Sequence, residues 1–329
     1  MIFRTVLITF CLLTAACSGD QALEDKRAQA QAYYRTTNTV IPGSDEIIRF
    51  PSLPAPDPSW PQPNLDRNAY FGDLHVHTTL SFDASAFGTT ASPADAYRYA
   101  RGEAIRHPSG FDVKLAQPLD FYAVTDHGIF LGLINDAEDT GTAFSQYELA
   151  KEYHNINESV DGGLLDLAKR SKIFGNFISD VVAGLLDGTI DNSVVNKVST
   201  SAWSKTVEAA DEAYVPGTFT TFAGYEFTSS TAEREALHRN VIFRGTGRLP
   251  ALPFTRFNSI NPEGLWDWMD KMREQGIESL AIPHNSNGSN GAMFMFTDWE
   301  GKAIDQEYAD QRLRNEPLVE ITQVKGTSD

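Results

Sequence analysis

Five consecutive residues, Asp73-Leu74-His75-Val76-His77, place two imidazoles two positions apart. Side chains on a strand alternate faces, so Asp73, His75 and His77 share one side and Leu74 and Val76 take the other. Two imidazoles at that spacing can chelate one cation, and Asp73 can be a third ligand or orient a ring from behind. The alternative is a pair of hydrogen-bonded histidines on a half-buried strand. A chain with seven histidines produces such a pair by chance often enough that it decides little alone.

Other residues add to it. Val124-Thr125-Asp126-His127 sets polar groups just after an apolar run, where parallel α/β architectures carry their active-site residues. Ala223-Gly224-Tyr225-Glu226-Phe227 puts one acid inside an apolar and aromatic strand. A buried carboxylate there is costly unless paired, with a cation, the backbone or an arginine as its partner. His284 follows Ile282-Pro283, and His238 opens the run Arg239 to Phe243. Five of the seven histidines therefore fall at the ends or starts of expected strands. His107 and His154 read as solvated, and Trp266 and Trp268 as core.

The elements that must position these groups alternate. Ala69 to Thr78 reads as a strand, and Ser92-Pro93-Ala94-Asp95 as a helix start with Ser as cap and Pro at the first position. That helix is expected to reach about Arg106. Leu119 to Val124, Thr218 to Phe227, Arg239 to Arg244, Glu278 to Pro283 and Pro317 to Val324 read as strands, with a helix from Asn261-Pro262-Glu263 to about Gln275. Residues 144–213 are helical by pattern and read as an insertion covering one end. Strand–helix alternation predicts an α/β fold with a mainly parallel sheet or barrel.

Composition narrows the function classes. The chain has 329 residues, 41% hydrophobic and 22% charged, with a formal net charge of −17. That is an ordinary globular composition, and its acidity disfavours a general nucleic-acid binder. A small phosphorylated substrate stays open, because bound cations reverse the sign locally. Arg4 and the apolar run Thr5 to Leu13 form an export signal. Leu13-Thr14-Ala15-Ala16-Cys17 resembles a bacterial lipobox, which implies a signal peptide over 1–16 and membrane attachment through lipid on Cys17, with a plain secretory peptide as the alternative. Ser18 then points to the periplasmic side of the outer membrane. Residues 17–68 read as a tether, with six prolines between Pro51 and Pro63, and 69–329 as the globular domain. Cys11 lies in the removed segment, so no thiol remains for a disulfide or a Cys-based metal site.

Five ordered motifs carry a family resemblance: Phe71 to Thr78, Ala123 to His127, Gly224 to Thr228, His238-Arg239-Asn240 and Pro283 to Asn287. In these the sequence resembles the PHP (polymerase and histidinol phosphatase) superfamily, and more closely its secreted bacterial members. The resemblance implies a distorted (β/α)7-type barrel with two or three divalent ions (Zn, Mn or Fe) at its strand ends. By motif, His75 and His77 would hold one metal, Glu226 would bridge it to a second on His238 and His284, and His127 and Asp83 would hold a third. Asp83 could equally belong to a turn. The family's closing Asp-x-His is absent. The expectation is that it lies further on in a longer parent, leaving the barrel incomplete here.

The chemistry expected is hydrolysis of a phosphate mono- or diester by a metal-bound hydroxide between cations about 3.5–4 Å apart. Asp126 would act as proton relay or orienter, and Arg239, Arg234 and Asn285 would meet the substrate anion, though each also fits a surface or capping role. One alternative is an amidohydrolase-like enzyme acting on C–N or C–O bonds. The other is a metal-binding lipoprotein without catalysis.

Overall fold

Burial follows the apolar runs. Phe121–Val124, Thr220–Phe227, Arg239–Phe243 and Ser279–Pro283 all form strands buried along most of their length, as strands covered on both faces must be. The computed structural model describes residues 43–50, 68–160, 163–231, 233 and 235–328. The expected export signal, Cys17, the proline-rich run and Arg234 lie outside the described residues.

In chain order the elements are β1 (Ile47–Arg49), β2 (Gly72–Asp73), α1 (Phe82–Ala86), α2 (Pro93–Ala100), β3 (Ile105–Arg106), β4 (Asp112–Val113), β5 (Phe121–Val124), α3 (Leu133–Glu138), α4 (Leu164–Asp187), α5 (Asn192–Ala213), β6 (Thr220–Phe227), β7 (Arg239–Phe243), β8 (Arg248–Pro250), α6 (Pro262–Glu274), β9 (Ser279–Pro283), α7 (Gln306–Asn315), β10 (Thr322–Gln323) and β11 (Gly326–Thr327). The central sheet has the order β2-β5-β6-β7-β9. Strands β2, β5 and β6 are parallel, while β7 runs antiparallel to both β6 and β9. The reversal follows from the β6–β7 connection, which carries no helix and is too short for the crossover that a parallel return needs. The result is a mixed α/β architecture around a curled, half-barrel sheet.

Local chemistry explains where the elements differ from expectation. Strand β2 stops at Asp73 because its carboxylate accepts the His75 backbone N–H at 2.9 Å, a side-chain turn that leaves the ladder. Helix α2 opens with the reciprocal Ser92–Asp95 capping box, and ends at Ala100, well before Arg106, with Gly102 in the left-handed region at φ 81°. Between Pro317 and Val324 only Thr322–Gln323 forms a strand, paired with Gly326–Thr327 rather than with the central sheet. Part of the expected tether belongs to the fold: β1 pairs antiparallel with β8, and Ile47 and Phe50 pack on the core. The Trp268 indole N–H donates to Ser44 O at 3.0 Å, holding this segment against α6.

Among the described residues, 144–213 is mainly helical. Its helix α4 contributes Ile173, Phe177, Val181 and Val182 to a cluster that also contains Phe82, Ile129, Phe130 and Leu133. A second cluster joins the sheet to α5 and α6 through Trp203, Tyr225, Phe243, Leu265 and Trp268. No helix among the described residues is long and apolar enough to cross a membrane.

Candidate metal centre

Sheet topology brings the candidate ligands to one edge. The C-terminal ends of β2, β5, β6 and β9 lie at that edge, and so does the start of β7, because it runs the other way. Register makes this explicit: Phe227 pairs with Arg239, and Arg239 with Pro283. Glu226 lies one position before that rung, and His238 and His284 one position beyond it, so the three share one face of the sheet, and His127 bridges Glu226 from the β5 side. His75 and His77 follow the end of β2, and Asp83 enters from the first turn of α1.

Five of the other six candidate ligands, all histidines, converge on Glu226, whose side chain is 1% exposed. Its Oε2 lies 3.0 Å from His77 Nε2 and 3.7 Å from His75 Nε2. Its Oε1 lies 2.6 Å from His238 Nδ1, 3.3 Å from His127 Nδ1 and 3.4 Å from His284 Nε2. Asp83 sits further out, 3.4 Å from His127 Nε2 and 3.6 Å from His77 Nδ1.

Burial and charge pull these groups apart in pKa. Burial raises the Glu226 carboxyl, but the surrounding imidazoles outweigh it and hold the carboxyl well below its usual range. Burial lowers His77, but hydrogen bonding and charge from Glu226, helped by Asp83, bring it up to about 9. Burial dominates at His238, taking it down to about 4, and it lowers His284 as well. Pairing with Glu226 thus favours the protonated form of His77, while burial disfavours it at His238 and His284.

Four three-residue groups could each hold a cation, their ligand atoms lying within 4.8 Å of one another: His75/His77/Glu226, His77/Asp83/His127, His127/Glu226/His238 and His75/His284/Glu320. His238 and His284 both reach Glu226 Oε1, with His127 beside His238 and His75 beside His284. Glu226 Oε1, His238 Nδ1 and both ring nitrogens of His284 are buried without an aligned hydrogen-bond partner. Buried polar atoms are rarely left that way, and a cation ligated there would satisfy them.

The remaining candidates are placed otherwise. Asp73 is exposed and shapes the backbone at His75 instead of joining the cluster. Asp126 is buried, and both carboxylate oxygens accept from Thr78, which suits an orienter and leaves no free oxygen for a relay. Arg239 turns to the other side of β7. Its Nε donates to Glu316 at 2.6 Å, and its guanidinium also donates to Leu237 O, so it is already neutralised. The cavity it lines with Leu237, Trp266 and Arg312 contains no candidate ligand. Asn285 is buried, with its side-chain oxygen accepting from Gln323 at 3.3 Å. His154 is half-buried and bonded to Ser145 O at 2.9 Å, whereas His107 stacks on exposed Phe111.

Glu320 was not anticipated, although Val319-Glu320-Ile321 repeats the signal that marked Glu226, an acid among apolar neighbours. Ser81 was also missed. Its hydroxyl lies 2.7 Å from His77 Nδ1 and donates to Asp83 Oδ1 at 2.7 Å. Thr228 Oγ1 lies 2.5 Å from His127 Nδ1. Single hydroxyls of this kind carry no pattern in the sequence.

No curated protein and no solved structure matches this chain. Residues 64–329 match the model of a family described as a protein of unknown function, DUF3604. That match runs from just before the first histidine pair through Glu320 and so takes in every candidate ligand; the chain belongs to the DUF3604 family.

Proposed function

We propose that this chain is a metal-dependent phosphoesterase with a PHP-type active site. The observation that carries the reading is Glu226, a buried carboxylate facing five imidazoles, several of whose nitrogens lack any aligned partner. Ligands of mixed imidazole and carboxylate type suit zinc, manganese or iron, and the overlapping groups would accommodate two or three ions. When bound, such ions supply Lewis acidity toward phosphoryl oxygens and lower the pKa of water.

The chain's own residues supply the arrangement. Glu226 offers one oxygen to the His75–His77 side and the other to the His127–His238–His284 side, so it would help hold ions on both sides. The Ser81 hydroxyl beside Nδ1 fixes His77 with Nε2 toward Glu226. Asp126 fixes the backbone between the two motifs. With Arg239 tied to Glu316, a small phosphorylated substrate would rely on the ions for charge neutralisation, with polar help from Asn285. Export and attachment through Cys17 belong to the same proposal.

Metal analysis of the purified protein, with turnover of p-nitrophenyl phosphate mono- and diesters, tests this. Stoichiometric zinc, manganese or iron and phosphate-ester hydrolysis lost in His75→Ala are expected. Bound metal with turnover of amides or carboxylic esters alone would favour the amidohydrolase-like alternative. Bound metal without turnover of any of these would favour a non-catalytic binder, and absence of metal would end all three.

A further inference from the structure

We propose that Glu320 is a positioning residue that sets the tautomer of His75 and aims its Nε2 into the metal centre. The proposal rests on the metal-binding reading above and names a component that reading did not require. His75 Nδ1 and Glu320 Oε2 lie 2.8 Å apart in an aligned hydrogen bond. The opposite ring nitrogen, Nε2, faces Glu226 Oε2 at 3.7 Å. A nitrogen and an oxygen sharing one tetrahedral ion would stand roughly 3.4 Å apart, given metal–ligand bonds of about 2.1 Å. The His75–Glu320 contact is an aligned hydrogen bond, whereas the equally short His238 Nδ1–Glu226 Oε1 approach is not aligned, and alignment marks a hydrogen bond behind the ring. A carboxylate behind a ligating imidazole fixes the Nδ1–H tautomer and raises ring basicity.

One contact holds Glu320 directly and two more hold the segment around it. Its backbone N–H donates to Pro283 O at 3.0 Å, at the end of β9. The Gln323 side-chain amide donates to His284 O and reaches Asn285 Oδ1 at 3.3 Å. The Thr322–Gln323 and Gly326–Thr327 hairpin closes the segment. His75 and Glu320 are only partly shielded, at 15% and 22% exposure. Without the carboxylate nothing else among the described contacts holds His75 Nδ1, and a free neutral imidazole favours the Nε2–H tautomer, which cannot ligate through Nε2.

Two measurements test this on the full chain. In metal-free protein with 15N-labelled histidine, long-range 1H–15N spectra in mildly alkaline buffer should show His75 protonated at Nδ1. In Glu320→Ala the proton should move to Nε2, and Glu320→Gln, which keeps an acceptor oxygen, should retain the Nδ1 proton. In metal titrations with zinc or manganese, Glu320→Ala should bind about 10–100-fold more weakly, Glu320→Gln should fall between, and adding Glu320→Ala to His75→Ala should change nothing further. An unprotonated Nδ1 in the parent, or the same spectrum in Glu320→Ala, overturns the proposal. So does a Glu320→Ala loss that persists undiminished in the His75→Ala background. A parent with the expected spectrum that binds no metal sinks the metal reading instead and leaves Glu320 a purely structural partner of His75.

Discussion

Asp126 accepts two hydrogen bonds from one residue, the Thr78 backbone N–H at 2.5 Å and the Thr78 hydroxyl at 2.7 Å. The pair ties the residue after His77 to the residue before His127, and those two rings lie 4.7 Å apart. Burial pushes the Asp126 carboxyl up to about 6, against the pull of His77 and the Thr78 donors. Asp126→Ala is expected to lose about 1–3 kcal/mol of stability by leaving buried donors unpaired, and Thr78→Val only about 0.5–1.5 kcal/mol. Urea unfolding of the metal-free proteins measures both. Equal losses would show that the backbone bond contributes nothing.

Glu226→Gln tests the bridge. The amide offers one oxygen and an NH2 group that faces imidazole nitrogens, so one side of the centre loses its acceptor. Metal content by elemental analysis should drop below that of the parent. Turnover should fall by more than the roughly 10–100-fold typical of outer-sphere partners. Unchanged metal content would remove Glu226 from the ligand set.

The metal affinity is expected to depend on pH through His77. Its folded value of about 9 lies above the ordinary 6.5, so between those values the metal-free folded protein keeps a proton that the unfolded chain has lost. The associated stability is fully present below pH 6.5 and disappears as pH rises through about 9. Ligation needs neutral imidazole, so binding must expel that proton. Calorimetric titrations near pH 7.5 in two buffers of different ionisation enthalpy should report about one proton released per centre, and affinity should rise by roughly tenfold per pH unit. Proton-neutral binding would contradict the His77–Glu226 pairing.

Gly132 packs the start of α3 closely against α5. It caps α3 with φ 76°, and a Cβ there would come within 2.7 Å of the Ala202 Cβ on α5. Gly132→Ala combines backbone strain with that clash. It should cost about 1–3 kcal/mol and disturb the segment after His127. Thermal unfolding reads the first effect and metal titration the second; a neutral variant would mean that α5 moves aside freely.

Arg170 on α4 is 3% exposed. It donates to Asp166, Asn157, Ala86 O and Ile156 O at 2.8–3.1 Å, and so clamps the end of α1, the helix that carries Asp83. Arg170→Met should destabilise the protein by about 3–5 kcal/mol, as loss of one partner of a buried network does. A loss below 1 kcal/mol would show that the clamp is replaceable.

What the sequence determined by itself was mostly local. Apolar runs fixed the existence of β5, β6, β7 and β9, and Ser92 and Asn261 fixed two helix starts, because caps and alternation act over a few residues. Six of the seven candidate ligands were legible for the same reason, since imidazoles and a carboxylate at strand ends stand out against apolar neighbours; Asp83 entered only through the family resemblance. The grouping of those ligands was decided only by tertiary structure. Reversal of β7 carries His238 to the edge that holds Glu226 and His284, and the segment after α7 folds back along β9 to set Glu320 behind His75. Those placements depend on strand direction and on contacts between residues up to 245 positions apart, which no local pattern encodes. Asp73 and Arg239 show the converse. Each has the right chemistry at the right position in the chain, and a single hydrogen bond or ion pair turns it to other work.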